Sequence, residues 1–163
     1  MSTLQTVTPT PRILGRLQES ASRPNGTPTA AADAVKARLG VVQFLAQTSG
    51  PDAARAEIAA LIKADPTNVV YQVTQAGLDF DAGQKDQAIA ALTALVKTAP
   101  DSEDSRNAKM ALARMLQATG NNTGAQALVE EVLAADPTHV AALKMKAAWL
   151  IQADKPGDAI IAL

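Results

Sequence analysis

Ala125-Gln126-Ala127-Leu128-Val129-Glu130-Glu131-Val132-Leu133-Ala134-Ala135-Asp136-Pro137 is the third occurrence of one pattern. An earlier copy runs from Ala88-Ile89-Ala90 to Pro100, and another from Ala54-Arg55-Ala56 to Pro66. A fourth opens at Ala159-Ile160-Ile161. The four leading alanines stand 34, 37 and 34 residues apart, and in the first three copies a proline follows twelve residues later. A fixed period of this length is the mark of a repeat protein, in which each unit buries its apolar face only by stacking on its neighbours. Such a chain offers a surface rather than a catalytic pocket.

Outward from these copies the chain reads as helices separated by breakers. Thr27 is placed to cap a first helix with Pro28 at its first turn. Val35, Leu39, Val42 and Ala46 then recur at helical spacing. Gly50-Pro51 interrupts, and a second helix is expected over 53–63. Asp65 is expected to cap the next one, with Pro66 in its first turn. Further helices are predicted over 67–82, 85–98, 103–119, 122–134, 138–153 and 156–163. Gly83 and Gly120 fall inside two of the hairpins, where a glycine ends a helix. The three additional residues of the 37-residue step lie within Asp101-Ser102-Glu103-Asp104-Ser105. Acids there complement the positive end of the following helix, which makes capping a better account of them than binding. Residues 1–27, with Thr8-Pro9-Thr10-Pro11 and Arg23-Pro24-Asn25-Gly26-Thr27, read as a linker or N-terminal capping segment holding a short helix over 11–20. The repeat domain is expected over 28–163.

Composition narrows the function. Of 163 residues, 47% are apolar but only 2% aromatic, so the core must be built from Ala, Leu, Val and Ile. Alanine is also the strongest helix former. A net charge of −1 argues against a nucleic-acid groove, which needs a basic excess, and against a polybasic membrane anchor. The lack of cysteine excludes thiol chemistry and disulfides and leaves the compartment open between cytoplasm and periplasm. No apolar run approaches the roughly 20 residues of a spanning helix. The composition points to a bacterial source.

Numbered from Val35, Val69, Arg106 and Val140, each unit has a small or modest residue at its eighth position: Val42, Ala76, Ala113 and Ala147. The twentieth is alanine in all four, and the thirty-second is proline in the three complete units. With this phase-locked set, residues 35–163 resemble the tetratricopeptide repeat family, whose unit is a helix–turn–helix of 34 residues. The resemblance implies an all-α fold, a right-handed superhelical solenoid of antiparallel helical hairpins. Steric demand explains the small residues: the two helices of a hairpin come close only where side chains are short. The family's aromatic at the eleventh position is replaced by Leu45, Asp79, Leu116 and Leu150. The single tryptophan, Trp149, is expected to pack the last unit.

The resemblance also implies a concave groove lined by the first helix of each unit. In the first unit it assigns Lys36, Leu39, Gln43 and Gln47 to that groove, and in the second Val73, Phe80 and Asp81. The third unit contributes Asn107, Met110, Arg114 and Gln117, and the fourth Lys144 and Ile151. Leu39, Val73, Phe80, Met110 and Ile151 are candidate apolar anchors. The amides suit a peptide backbone, and Arg114 and Lys144 suit an acid. Leu39 and Gln43 depart from the Lys and Asn with which one subfamily holds chaperone tails, so that ligand is not expected.

Nothing in the chain suggests an enzyme or a cofactor. His139 is the only histidine and reads as a surface turn residue beside Pro137. Glu130 and Glu131 are adjacent, so on a helix they point apart rather than converge. Gly83-Gln84-Lys85 lacks the spacing of a phosphate loop. The expected function is a scaffold that binds a protein or peptide partner in its groove, within a bacterial multiprotein assembly. The alternatives are the repeat region of a larger enzyme, such as a glycosyltransferase, and a self-association module. The chain stops inside an expected helix at Ile160-Ile161-Ala162-Leu163. It is therefore expected to be a piece of a longer protein, and its apolar end to pair as a symmetric dimer.

Overall fold

The computed structural model describes residues 28–152. The expected helices over 11–20 and 156–163, Ala159 and the C-terminal apolar end lie outside these residues. Among the described residues there are seven helices and no strand. They are α1 (Pro28–Thr48), α2 (Pro51–Ala64), α3 (Val69–Asp81), α4 (Lys85–Thr98), α5 (Glu103–Ala118), α6 (Asn122–Ala135) and α7 (Val140–Gln152). The contacts divide the chain between Lys36 and Ala37, inside α1. The repeats belong to the unit that begins at Ala37.

In that unit the helices pack in the order in which the chain makes them. Hairpin partners α3 and α4, and α5 and α6, lie closest. Each hairpin then leans on the next through α2 with α3, α4 with α5, and α6 with α7, while α3 also touches α5. Contact confined to neighbouring helices and adjacent repeats is what makes a solenoid.

The recurrent small residues lie in these seams. Ala54, Ala113 and Ala125 are fully buried, Ala88 is 1% exposed, and Val42, Ala76 and Ala147 are also buried. Ala76 and Ala88 share one core cluster with Leu92, Leu112 and Met115. Ala113 and Ala125 share the next with Met110, Val129, Val132 and Ala142. Leu116 and Leu128 pack against both, so the two clusters form a continuous spine. Trp149 packs on the second cluster, as expected of it.

Local chemistry sets the turns. Gly83 and Gly120 have φ of +89° and +87°, a region costly for residues with a Cβ. Each sits just past its helix. The Gly83 N–H donates to the Phe80 carbonyl and the Gln84 N–H to that of Asp79, at 3.0 and 2.9 Å. Gly120 and Asn121 repeat the pattern toward Gln117 and Leu116. These paired bonds satisfy carbonyls that the helix end would otherwise orphan. One expectation is corrected. Asn68, not Asp65, caps α3, accepting from the Tyr71 N–H at 3.4 Å. Asp65 instead ends α2, where Asn68 Nδ2 and Thr67 Oγ1 each donate to its carboxylate at 3.1 Å. The Asp-Pro pair therefore closes one helix rather than opening the next.

Candidate functional site

The first helices of the third and fourth repeats, α5 and α7, flank an open cavity of about 550 Å³. Its walls are Glu103, Arg106, Asn107 and Arg114 from α5, and Val140, Ala141 and Lys144 from α7. The turn between α6 and α7 completes it with Asp136, Thr138 and His139.

Both rims are held by short-range bonds. Ser102 caps α5 through a reciprocal pair: its hydroxyl accepts from the Ser105 N–H at 3.1 Å, and its own N–H donates to Ser105 Oγ at 2.9 Å. Glu103 and Asp104 occupy the first turn, where the helix dipole favours acids. The added residues of the 37-residue step thus build a cap, as the sequence implied. Arg106 Nη1 donates to both carboxylate oxygens of Asp101 at 3.0 Å, fixing the side chain across the start of α5.

On the other rim, the Thr138 hydroxyl and N–H donate to Asp136 Oδ1 at 2.8 and 3.1 Å. These bonds, helped by the charge of Arg106 and opposed by slight desolvation, hold the Asp136 carboxyl below the usual carboxylate range. His139 departs from expectation. It is buried, at 8% exposure, rather than a surface turn residue. The Ala142 N–H donates to its carbonyl at 3.0 Å and lies 3.4 Å from Nδ1, so the ring works as a cap on α7.

The structure gathers three of the expected groove residues, Asn107, Arg114 and Lys144, into this cavity. Gln117 is half-buried further along α5, and Ile151 is 60% exposed near the end of α7. Met110 is corrected: at 2% exposure it belongs to the core beneath α6 and is closed to a ligand. Val73 and Phe80 are half-buried and packed against the α3–α4–α5 core. The Lys85 ammonium stands 5.7 Å from the Phe80 ring centroid, which further occupies that ring. Asp81 is exposed at the end of α3. On α1, Gln43 and Gln47 are exposed and Leu39 is half-buried, and none of them lines the cavity. Lys36, exposed on α1, falls on the N-terminal side of the division in the chain.

Sequence reasoning missed Arg106, Val140 and His139. Arg106 and Val140 stand first in their units, and Arg106 directly precedes Asn107, which was assigned to the groove. His139 gave no signal, because α7 was expected to start at 138, two residues before Val140, which put His139 inside the helix rather than at its cap.

A second cavity of about 330 Å³ lies among α2, α3 and α4, with Gln72, Gln75 and Gln87 over a floor that includes Ala76 and Leu92. Beside it, Asp79, at the position where the family places an aromatic, pairs with Arg55 Nε at 3.3 Å. Among the described residues no group of three or more His, Cys, Asp or Glu side chains is placed to hold a metal, and no helix is long and apolar enough to cross a membrane.

The tetratricopeptide repeat family model matches residues 79–150, which span the closest-packed part of the molecule, from the end of α3 into α7. The matched stretch holds α4, α5 and α6 whole and is similar to tetratricopeptide repeats. Repeats of this family generally mediate protein–protein interaction. Among solved structures, the chain is similar to that titled "Crystal structure of MamA", with a TM-score of 0.34 and 15% identity over 75% of this chain and 90% of that one. No curated protein matches.

Proposed function

We propose that this chain is a protein-interaction module that holds a segment of a partner against the first helices of its later repeats, α5 and α7. One observation carries this reading. Asn107, Arg114 and Lys144, which the repeat register assigns to the groove from two different units, line one cavity. Most of the apolar residues expected there serve the core instead: Met110 is enclosed, and Val73 and Phe80 pack against their own cluster. The surface left for a partner is mainly polar, with Val140 and Ile151 as exposed apolar contacts. Recognition on such a preformed surface relies on shape and a few directed polar contacts.

The test is site-specific photocrosslinking in the native cell. A photoreactive residue at Asn107 or Lys144 is expected to trap a distinct polypeptide, which the same residue at exposed Ala94 on α4 does not trap. Trapping only a second copy of this chain from both α5 and α7 would replace the reading with self-association. Equal trapping from Ala94 would remove the site.

A further inference from the structure

We infer that the cavity among α2, α3 and α4 takes an uncharged, extended segment of polypeptide, with one aliphatic side chain inside it and the neighbouring backbone amides bonded to Gln75 and Gln87. It is a second contact site. None of its wall residues is shared with the α5–α7 cavity, so it goes beyond the reading above and does not depend on it.

The cavity has an apolar floor and a polar rim. Leu92 is fully buried and Ala76 is 2% exposed, and half-buried Ile62 and Leu95 extend the apolar surface. Its volume of about 330 Å³ is at the small end of the range for ligand pockets. Gln72, Gln75 and Asp79 recur on one face of α3, at spacings of three and four residues, and Gln87 joins them from α4. From Gln72 to Asp79 the helix rises about 10 Å, room for about three extended residues.

The three amides are unequally engaged. Gln72 Nε2 donates to the Pro66 carbonyl at 2.7 Å, which fixes that side chain across the turn. Gln75 and Gln87 have no side-chain hydrogen bond among the described residues. Each carries a donor and an acceptor, the same pair that a peptide group carries. Gln75 is half-buried, so its amide is already partly withdrawn from water and gains from a partner.

The charges set aside other ligands. Asp79 is the only charged residue in the walls, and Arg55 Nε lies 3.3 Å from its carboxylate. Arg55 also reaches Asp52, whose side chain is 95% exposed and solvated. No cation lines the cavity, so a carboxylate or phosphate finds no opposite charge there. A lysine or arginine has to share Asp79 with Arg55, whose Nη2 is already buried without a hydrogen bond. No wall residue is aromatic, so a nucleobase lacks a stacking platform.

The experiment is an NMR titration of the isotope-labelled whole chain, read on its side-chain amide signals. The probes are blocked pentapeptides of glycine and serine with leucine, aspartate, lysine or glycine at the centre. The leucine peptide is expected to shift the Gln75 and Gln87 signals saturably. Glycine at the centre should weaken binding about ten- to hundredfold, because the buried side chain is lost. Gln87→Ala should weaken the leucine peptide about two- to tenfold. Ala91→Trp fills the cavity from an exposed position on α4 and should abolish the shifts. Ala94→Trp, exposed on the same helix outside the cavity, should leave them unchanged. Both alanines are exposed, so helicity by circular dichroism should not change in either variant. Aspartate or lysine peptides that bind as well as the leucine peptide overturn the inference. So does a leucine peptide that moves neither glutamine signal or still binds after Ala91→Trp, and so does a failure of every peptide to saturate. Saturable shifts at Asn107 alone would place the peptide in the α5–α7 cavity and remove this site, so the two claims are read separately.

Discussion

α5 buries six of its sixteen residues, Ser105, Ala108, Met110, Leu112, Ala113 and Met115. α1 is longer, at 21 residues, yet Val42 is the only one of its described side chains that is buried. Val41 and Phe44 on α1 are 49% and 63% exposed, although both are apolar. The difference does not come from apolar content. α5 has α3 and α4 on one side and α6 on the other, and its residues enter both core clusters. α1 is not among the close helix pairs. Its alanines favour a helix by intrinsic propensity, whereas α5, rich in polar residues on its outer face, depends on packing. Burial in a stack follows from having neighbours on both flanks, and function follows from what the flanks leave open. α5 spends its apolar side on the core and turns Asn107 and Arg114 outward.

The contrast fails if the core is not where stability resides. Leu92→Ala removes a fully buried side chain next to α5, and is expected to cost about 2–5 kcal/mol by denaturant unfolding. A loss below that range would mean the α3–α4–α5 cluster is loosely packed.

A finer test addresses the seam itself. Ala125→Leu forces a larger side chain against Ala113 in a site with no free surface, and should cost about 1–3 kcal/mol in thermal melts. Ala127→Leu, on the exposed side of the same helix, should stay within about 0.5 kcal/mol. Equal effects of the two would show that small size at the seam has no steric purpose.

The smallest expected change belongs to α1. Phe44→Ser should alter stability by no more than about 0.5 kcal/mol, since little of the ring leaves water on folding. A drop as large as that of Leu92→Ala would place a partner surface over this face and erase the comparison.

Much of the fold was legible beforehand. The span of α4 matches its expectation at both ends, and the other described helices fall within about two residues of theirs, a common uncertainty at helix ends. Glycine at a positive φ, proline in a first turn and a period of small residues each encode a local or nearest-neighbour requirement, so they can be read along the chain. The site was legible only in part. Asn107, Arg114 and Lys144 line one cavity because repeat register carries them to one face. Met110 was misplaced because a helix position near a boundary between faces can point either way. His139 was misread because its burial depends on how α6 and α7 meet.

The order of helices, their ends, and the alanine seams thus follow from the chain alone, because each depends on backbone preferences or on residues one repeat away. Which cations are cancelled does not. Lys109 and Arg114 look alike in sequence, as do Lys144 and Lys146, and α6 distinguishes them by reaching one of each pair with Glu131 and Glu130. Coulomb attraction between side chains falls steeply with distance and with water between them. The charge that remains available to a partner was therefore settled only when three helices took their places side by side.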